Sequence, residues 1–94
     1  MKIRWSPMAI SDLETIRDFI AHDSPSVAHK IANRMKESIN RLSSFPLSGK
    51  PGRVSGTHEL VIPGTSYIAA YTIQSDEVQI ASILHGKQRW PDLF

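Results

Sequence analysis

The period of the apolar residues changes near His58, and that change most constrains how this chain can fold. Upstream, Ala9, Leu13, Ile16 and Ile20 follow at steps of four, three and four, and Ala28, Ile31, Met35, Ile39 and Leu42 continue at the same spacing. Such spacing lines one face of a helix. Downstream, Val, Ile and Tyr crowd into short runs separated by turn residues, the composition of strands. Helices followed by strands, rather than helices alternating with strands, predict an α+β domain.

The punctuation sharpens this reading. Ser6-Pro7 and Ser24-Pro25 are both helix starts: the serine caps free N–H groups and proline is tolerated in the first turn. A break as short as the one at Ser24 predicts that the two helices fold back as an antiparallel hairpin. Phe45-Pro46 is expected to end the second helix, and residues 47–57, carrying Gly49, Pro51, Gly52 and Gly56, to form a loop. Lys2 to Trp5 alternates charged and apolar side chains and predicts a short strand. Three more strands are expected over 59–62, 67–73 and 77–84, joined by turns at 63–66 and at Ser75-Asp76. In the last of them Val78, Ile80 and Ser82 are expected to share one face, and Ala81 and Ile83 the other. The expected fold is α+β in two layers: an N-terminal strand, an antiparallel helical hairpin, then a three-stranded antiparallel meander.

Composition narrows the function classes. With 94 residues the expectation is a single domain over 1–94. A formal charge of +2 is too small for a polycationic nucleic-acid packager. The absence of cysteine excludes disulfides, thiolate metal sites and cysteine nucleophiles. The charge-free run from Leu60 to Ser75 is broken by Pro63-Gly64 and is too short to span a membrane. No apolar signal core follows Met1-Lys2-Ile3-Arg4-Trp5, so a cytoplasmic location is expected, with no membrane partner. His22 and His29 straddle the helix break without carboxylates in register, so no metal site is expected. Gly49-Lys50-Pro51-Gly52 lacks the spacing of a phosphate-cradling loop, so no cofactor is expected either.

Several short motifs then converge. They are Trp5-Ser6-Pro7 with Ala9, Asp12-Leu13-Glu14 with Ile16, Ser24-Pro25 with Ala28, and Phe45-Pro46 before Gly49-Lys50-Pro51-Gly52-Arg53-Val54. The stretch from Gly56 to Val61, Tyr67 with Tyr71, and Ile83-Leu84-His85-Gly86 follow in the same order. In order and spacing, over almost its whole length, the chain resembles the RelE/ParE superfamily of toxins from bacterial type II toxin–antitoxin modules. The resemblance implies a toxin that arrests growth unless a cognate antitoxin binds it, with plasmid stabilization among the roles of such modules. It also implies contact with operator DNA only through the antitoxin. Two mechanisms occur on this fold. ParE-like members poison DNA gyrase; RelE-like members cut messenger RNA on the ribosome.

Ribonuclease chemistry needs a base for the ribose 2′-OH, a cation for the developing phosphorane charge and an acid for the leaving oxygen. The resemblance to RelE-like enzymes, which use clustered basic side chains, makes Arg53, Lys50, His85 and Arg89 the catalytic candidates. The tail from His85 to Pro91 has no tyrosine and matches no complete RelE set, while its Leu84-His85 pair is similar to ParE-like members. The gyrase reading therefore leads and the nuclease is the alternative. For either target the contact candidates are Arg53, His58, Lys87, Arg89 and Trp90. Lys50, Arg53, Lys87 and Arg89 would share one basic rim if the loop and the end of the last strand meet. Beside these stand plainer expectations: Glu59 pairs with Arg53, Tyr67 and Tyr71 are core residues on one sheet face, and Trp5 packs against the helices. The antitoxin-contacting residues are not identified by the sequence.

Overall fold

The computed structural model describes residues 1–87. Ser6 starts α1 (Pro7–Asp23): its hydroxyl accepts from the Ala9 amide at 3.0 Å and donates to the Ala81 carbonyl at 2.8 Å. Ser24 serves both helices. Its amide closes the end of α1 on the Ile20 carbonyl, and its hydroxyl accepts from Val27 at the start of α2 (Pro25–Asn40). A one-residue connection leaves the helices no choice but to double back.

Five strands make one sheet in the order β1-β5-β4-β3-β2, with β1 (Lys2–Trp5), β2 (Lys50–Pro51), β3 (His58–Val61), β4 (Tyr67–Gln74) and β5 (Glu77–His85). All neighbours are antiparallel except β1, which runs parallel to β5 at one edge. Ser75 and Asp76 both take positive φ, 51° and 58°, between the paired Gln74 and Glu77. This is the two-residue hairpin turn whose twist matches the flanking strands.

The hairpin covers one face of the sheet. Ala9 and Leu13 of α1, with Ala32, Met35 and Ile39 of α2, meet Ala69, Tyr71, Val78, Ile80 and Ile83, and Leu42 and Ile62 close the ends. Met35, Ile39 and Leu42 are fully buried, each contributing about 1.5–3 kcal/mol by transfer from water. Trp5 and Ile31 pack against this core from its margin.

Three expectations are corrected. First, the stretch 47–57 contains a strand: Lys50 and Pro51 pair with Glu59 and His58, giving the sheet a fifth member. Pro51 is tolerated because this is the edge strand and its position makes no ladder hydrogen bond. Second, α2 ends at Asn40, five residues before Phe45, and continues as a turn of 3-10 helix over Arg41–Ser43. Third, Ile83 joins Val78 and Ile80 on the helix side, contrary to simple alternation. In the register with β4, Ala70 faces Ser82 and Tyr71 faces Ile80, so Ala81 is an extra residue. The bulge shifts the phase of everything after it.

The bulge lies where β1 ends, since Trp5, its last residue, pairs with Ile80. Beyond that point β5 has no strand neighbour on this side. Asp12 of α1 takes the vacant place: its Oδ2 accepts from the Ser82 hydroxyl at 2.7 Å and from the Ile83 amide at 3.0 Å.

Candidate functional site

The register sorts the candidate side chains onto two faces. His58, Tyr71, Ala69, Ile83, Tyr67 and His85 oppose one another in pairs across β3, β4 and β5, on the face that carries the helices. Glu59, Ala70, Ile68 and Leu84 belong to the other face. Lys50, directly opposite Glu59, shares that second face.

The loop from β2 to β3 folds over the second face. Gly52 donates to the Thr57 carbonyl at 2.8 Å, and the Thr57 amide and hydroxyl both bond the Val54 carbonyl, closing a tight turn with Gly56 at φ +83°. Val54 then packs on Ile68, Ala70 and Leu84. Arg53 spans the strand ends. Its Nη2 donates to the Gly86 carbonyl just past β5, and its Nε stands 3.9 Å from Oε2 of Glu59. Glu59 is buried, so this cation offsets part of the cost of holding a carboxylate away from water. The loop and the end of β5 thus meet, with Arg53 between them and Lys87 one residue beyond Gly86.

The histidines sit among aromatic rings on the helix side. His58 stacks on Tyr71, centroids 5.1 Å apart and planes inclined by 21°. His85 meets Tyr67 edge-on at 5.8 Å, and its Nδ1 accepts from the Lys87 amide at 3.3 Å. Tyr71 donates to the Pro46 carbonyl at 2.7 Å and accepts from the Gly49 amide at 3.1 Å. Burial raises its pKa above the ordinary value of 10, and the Gly49 amide opposes that shift. Gly49 must be glycine, because a Cβ there would lie 2.5 Å from the Tyr71 oxygen and 2.8 Å from the Glu59 carbonyl oxygen.

Of the catalytic candidates, Lys50 and Arg53 therefore lie on the open face and His85 on the helix side; Arg89, like the contact candidate Trp90, lies outside the described residues. Tyr71 is wholly buried, so it offers no stacking platform for bases. Among the described residues no group of three or more His, Asp or Glu side chains could hold a metal, and no helix is long and apolar enough to cross a membrane. Sequence reasoning missed Asp12, Gly49 and Tyr71 as the residues that hold the site's frame. Asp12 sits outside the apolar stripe and, like Gly49, was visible only as a member of a motif. Tyr71 was expected in the core, but the partners of its hydroxyl were not.

The profile of a known family, described as ParE toxin of type II toxin-antitoxin system, parDE, matches residues 3–90. The chain belongs to this family. Y4kP of Sinorhizobium fredii is 36% identical over 93 residues, covering 99% of this chain and 96% of that protein. Toxin RelE2 of Caulobacter vibrioides is 30% identical over 85 residues, 90% of this chain and 94% of its own length. Among solved structures, a chain of the chromosomal ParDE toxin–antitoxin system of P. aeruginosa superposes with a TM-score of 0.81 at 25% identity, covering 90% of this chain and 95% of that one. A chain of the RelBE2 toxin–antitoxin complex of Mycobacterium tuberculosis superposes with 0.63 at 27% identity, covering 89% and 95%. The α+β fold read from the sequence is the fold of these ParE and RelE toxins, and the chain is a toxin of a type II toxin–antitoxin system.

Proposed function

We propose that this toxin acts in the cytoplasm as a single domain that poisons DNA gyrase, and that a cognate antitoxin from the same module neutralises it. The observation that carries the gyrase reading is the separation of the candidate residues by the sheet itself. Ribonuclease catalysis needs base, acid and cation within hydrogen-bond reach of one reacting phosphate. His58 and His85 lie on the helix side, whereas Lys50 and Arg53 lie on the open face, and Arg53 is engaged with Gly86 and Glu59. A binding surface has no such requirement, since contacts can be distributed around a rim. The similarity to the ParDE system supports the same reading. In it, Arg53, His58, Lys87, Arg89 and Trp90 supply contacts to the target, and the antitoxin alone brings the toxin to operator DNA.

The test is a supercoiling assay with purified toxin, gyrase and ATP. The expected result is loss of supercoiling with trapped cleaved DNA, reversed by the antitoxin. Undisturbed supercoiling by protein that still stops growth would reject the gyrase target. It would move the activity to messenger RNA cleavage, with Lys50, Arg53, His85 and Arg89 as the residues to substitute.

A further inference from the structure

Glu59 is a buried acid to which the proposed function gives no task. It is the second residue of β3, on the open face of the sheet, and only 6% exposed. Ala70 of β4 stands directly opposite on one side and Lys50 of β2 on the other. Among the described residues its carboxylate makes one ion pair, to Arg53 Nε at 3.9 Å, which is too long for a hydrogen bond. A carboxylate buried with so little compensation costs stability, and a neutral side chain of similar shape would remove that cost. Stability therefore gives no reason for an acid at this place.

Its geometry does. The Arg53 guanidinium is set between two acceptors, with Nε turned to Glu59 and Nη2 donating to the Gly86 carbonyl. The loop that carries it is closed by the bonds from Gly52 to Thr57 and from Thr57 to Val54, and anchored by Val54 on Ile68, Ala70 and Leu84. The chain leaving β5 is held as closely. The Gly86 amide donates to the Ser66 carbonyl at 2.7 Å, and the Lys87 amide to His85 Nδ1 at 3.3 Å. A guanidinium is a rigid planar fork, so a charge that anchors its Nε edge also sets where Nη2 points. The Arg53 side chain is still 42% exposed, within reach of a partner, while the acid that orients it is not.

We propose that Glu59 is a positioning residue for the target contact. It orients Arg53 from within the sheet face, and through Arg53 it fixes the peptide group between Gly86 and Lys87, from which the remaining contact candidates continue. This rests on the reading that Arg53 and Lys87 touch the target. Holding these groups in place before the target arrives lowers the ordering cost of binding.

The experiment compares four forms of the full toxin: unaltered, Glu59→Gln, Arg53→Lys and the double variant. Glutamine keeps the shape without the charge, and lysine keeps the charge without the fork. Each form is followed by thermal melting, by the cellular toxin level that halves growth rate, and by the supercoiling assay. The expected result is that Glu59→Gln melts at or above the parent temperature yet needs about tenfold more toxin to halve growth, the size of a coupling between neighbouring groups. In the double variant it should add little to Arg53→Lys, because a residue acting through Arg53 has nothing left to orient. The amide NMR signal of Lys87, which shares a peptide group with the Gly86 carbonyl, should shift in Glu59→Gln while that of Val78 stays in place.

Full potency in Glu59→Gln would overturn the proposal. So would a loss of potency that follows a lowered melting temperature, or losses that multiply in the double variant. Glu59→Met stands in if the glutamine variant does not fold, and failure of both to fold would make the acid structural and likewise overturn the proposal. Growth arrest does not depend on which target is correct. Unaltered toxin that stops growth but leaves supercoiling undisturbed would therefore reject gyrase, while the growth readings still decide the role of Glu59.

Discussion

Tyr71 gives its phenol proton to the Pro46 carbonyl and takes a hydrogen bond from the Gly49 amide, so one oxygen pins the whole crossing from α2 to β2. Replacing it with phenylalanine keeps the ring stacked under His58 but leaves two backbone groups without their partner. The expected cost is about 1–3 kcal/mol in urea unfolding. The same residue governs the alkaline limb of stability. Burial raises the folded-state pKa above the ordinary 10. The folded state therefore favours the neutral phenol, and its contribution is complete below pH 10 and is lost as pH rises through the folded value. Unfolding free energy measured from pH 8 upward should fall more steeply in the parent than in Tyr71→Phe; parallel curves would remove Tyr71 from that role. Glu59 and Arg53 show the complementary case. The sequence put them together correctly, because an acid two residues into a strand and a cation in the preceding loop have few other places to go.

At the scale of elements, the sheet is held by a helix side chain acting as a strand. β1 pairs with β5 only as far as Ile80, and Asp12 then supplies the acceptor that a longer β1 would have offered to Ile83. Asp12→Ala should cost about 2–3 kcal/mol, since it removes two hydrogen bonds to a charged acceptor. Hydrogen exchange at the Ile83 amide should accelerate far more than at Val78, which lies within the β1–β5 ladder. Equal acceleration at both amides would mean that the substitution loosens the sheet generally and that Asp12 has no local bracing role. The helices themselves were legible because their signals are local: a capping serine, a following proline and apolar spacing all lie within a few residues. The bulge at Ala81 was not. Alternation predicts faces only while each residue faces one partner, and an extra residue is a property of two strands together.

For the whole molecule, one core joins both helices to β4 and β5, while the smaller cluster of Ile68, Ala70, Leu84 and Val54 is attached to the same strands. Among the described residues, both clusters draw on β4 and β5, so neither marks a part that would unfold alone. Urea unfolding is expected to be a single transition by far- and near-ultraviolet circular dichroism, with a slope of about 1–1.5 kcal/mol/M for a chain of this size. Two resolved transitions would divide the molecule into units and contradict a single domain. The long-range arrangement also carries the functional argument. Alternation along β3 and the turn of the loop over the open face set Lys50 and Arg53 on the opposite side of a layer of backbone from His58 and His85.

The helix limits at Ser6 and Ser24, the two-residue turn at Ser75-Asp76 and the apolar faces of the two helices were determined by the sequence alone, because each depends on periodicity or on residues near one another in the chain. The toxin family was legible as a resemblance in the order and spacing of motifs along the whole chain. The tertiary structure alone decided that Lys50 and Pro51 form a fifth strand, that Ile83 turns inward, that Asp12 completes an edge, and which face each candidate side chain occupies. These outcomes share one physical cause: a backbone N–H or C=O must find a partner, and where the neighbouring strand stops, the partner comes from wherever the fold brings one within reach.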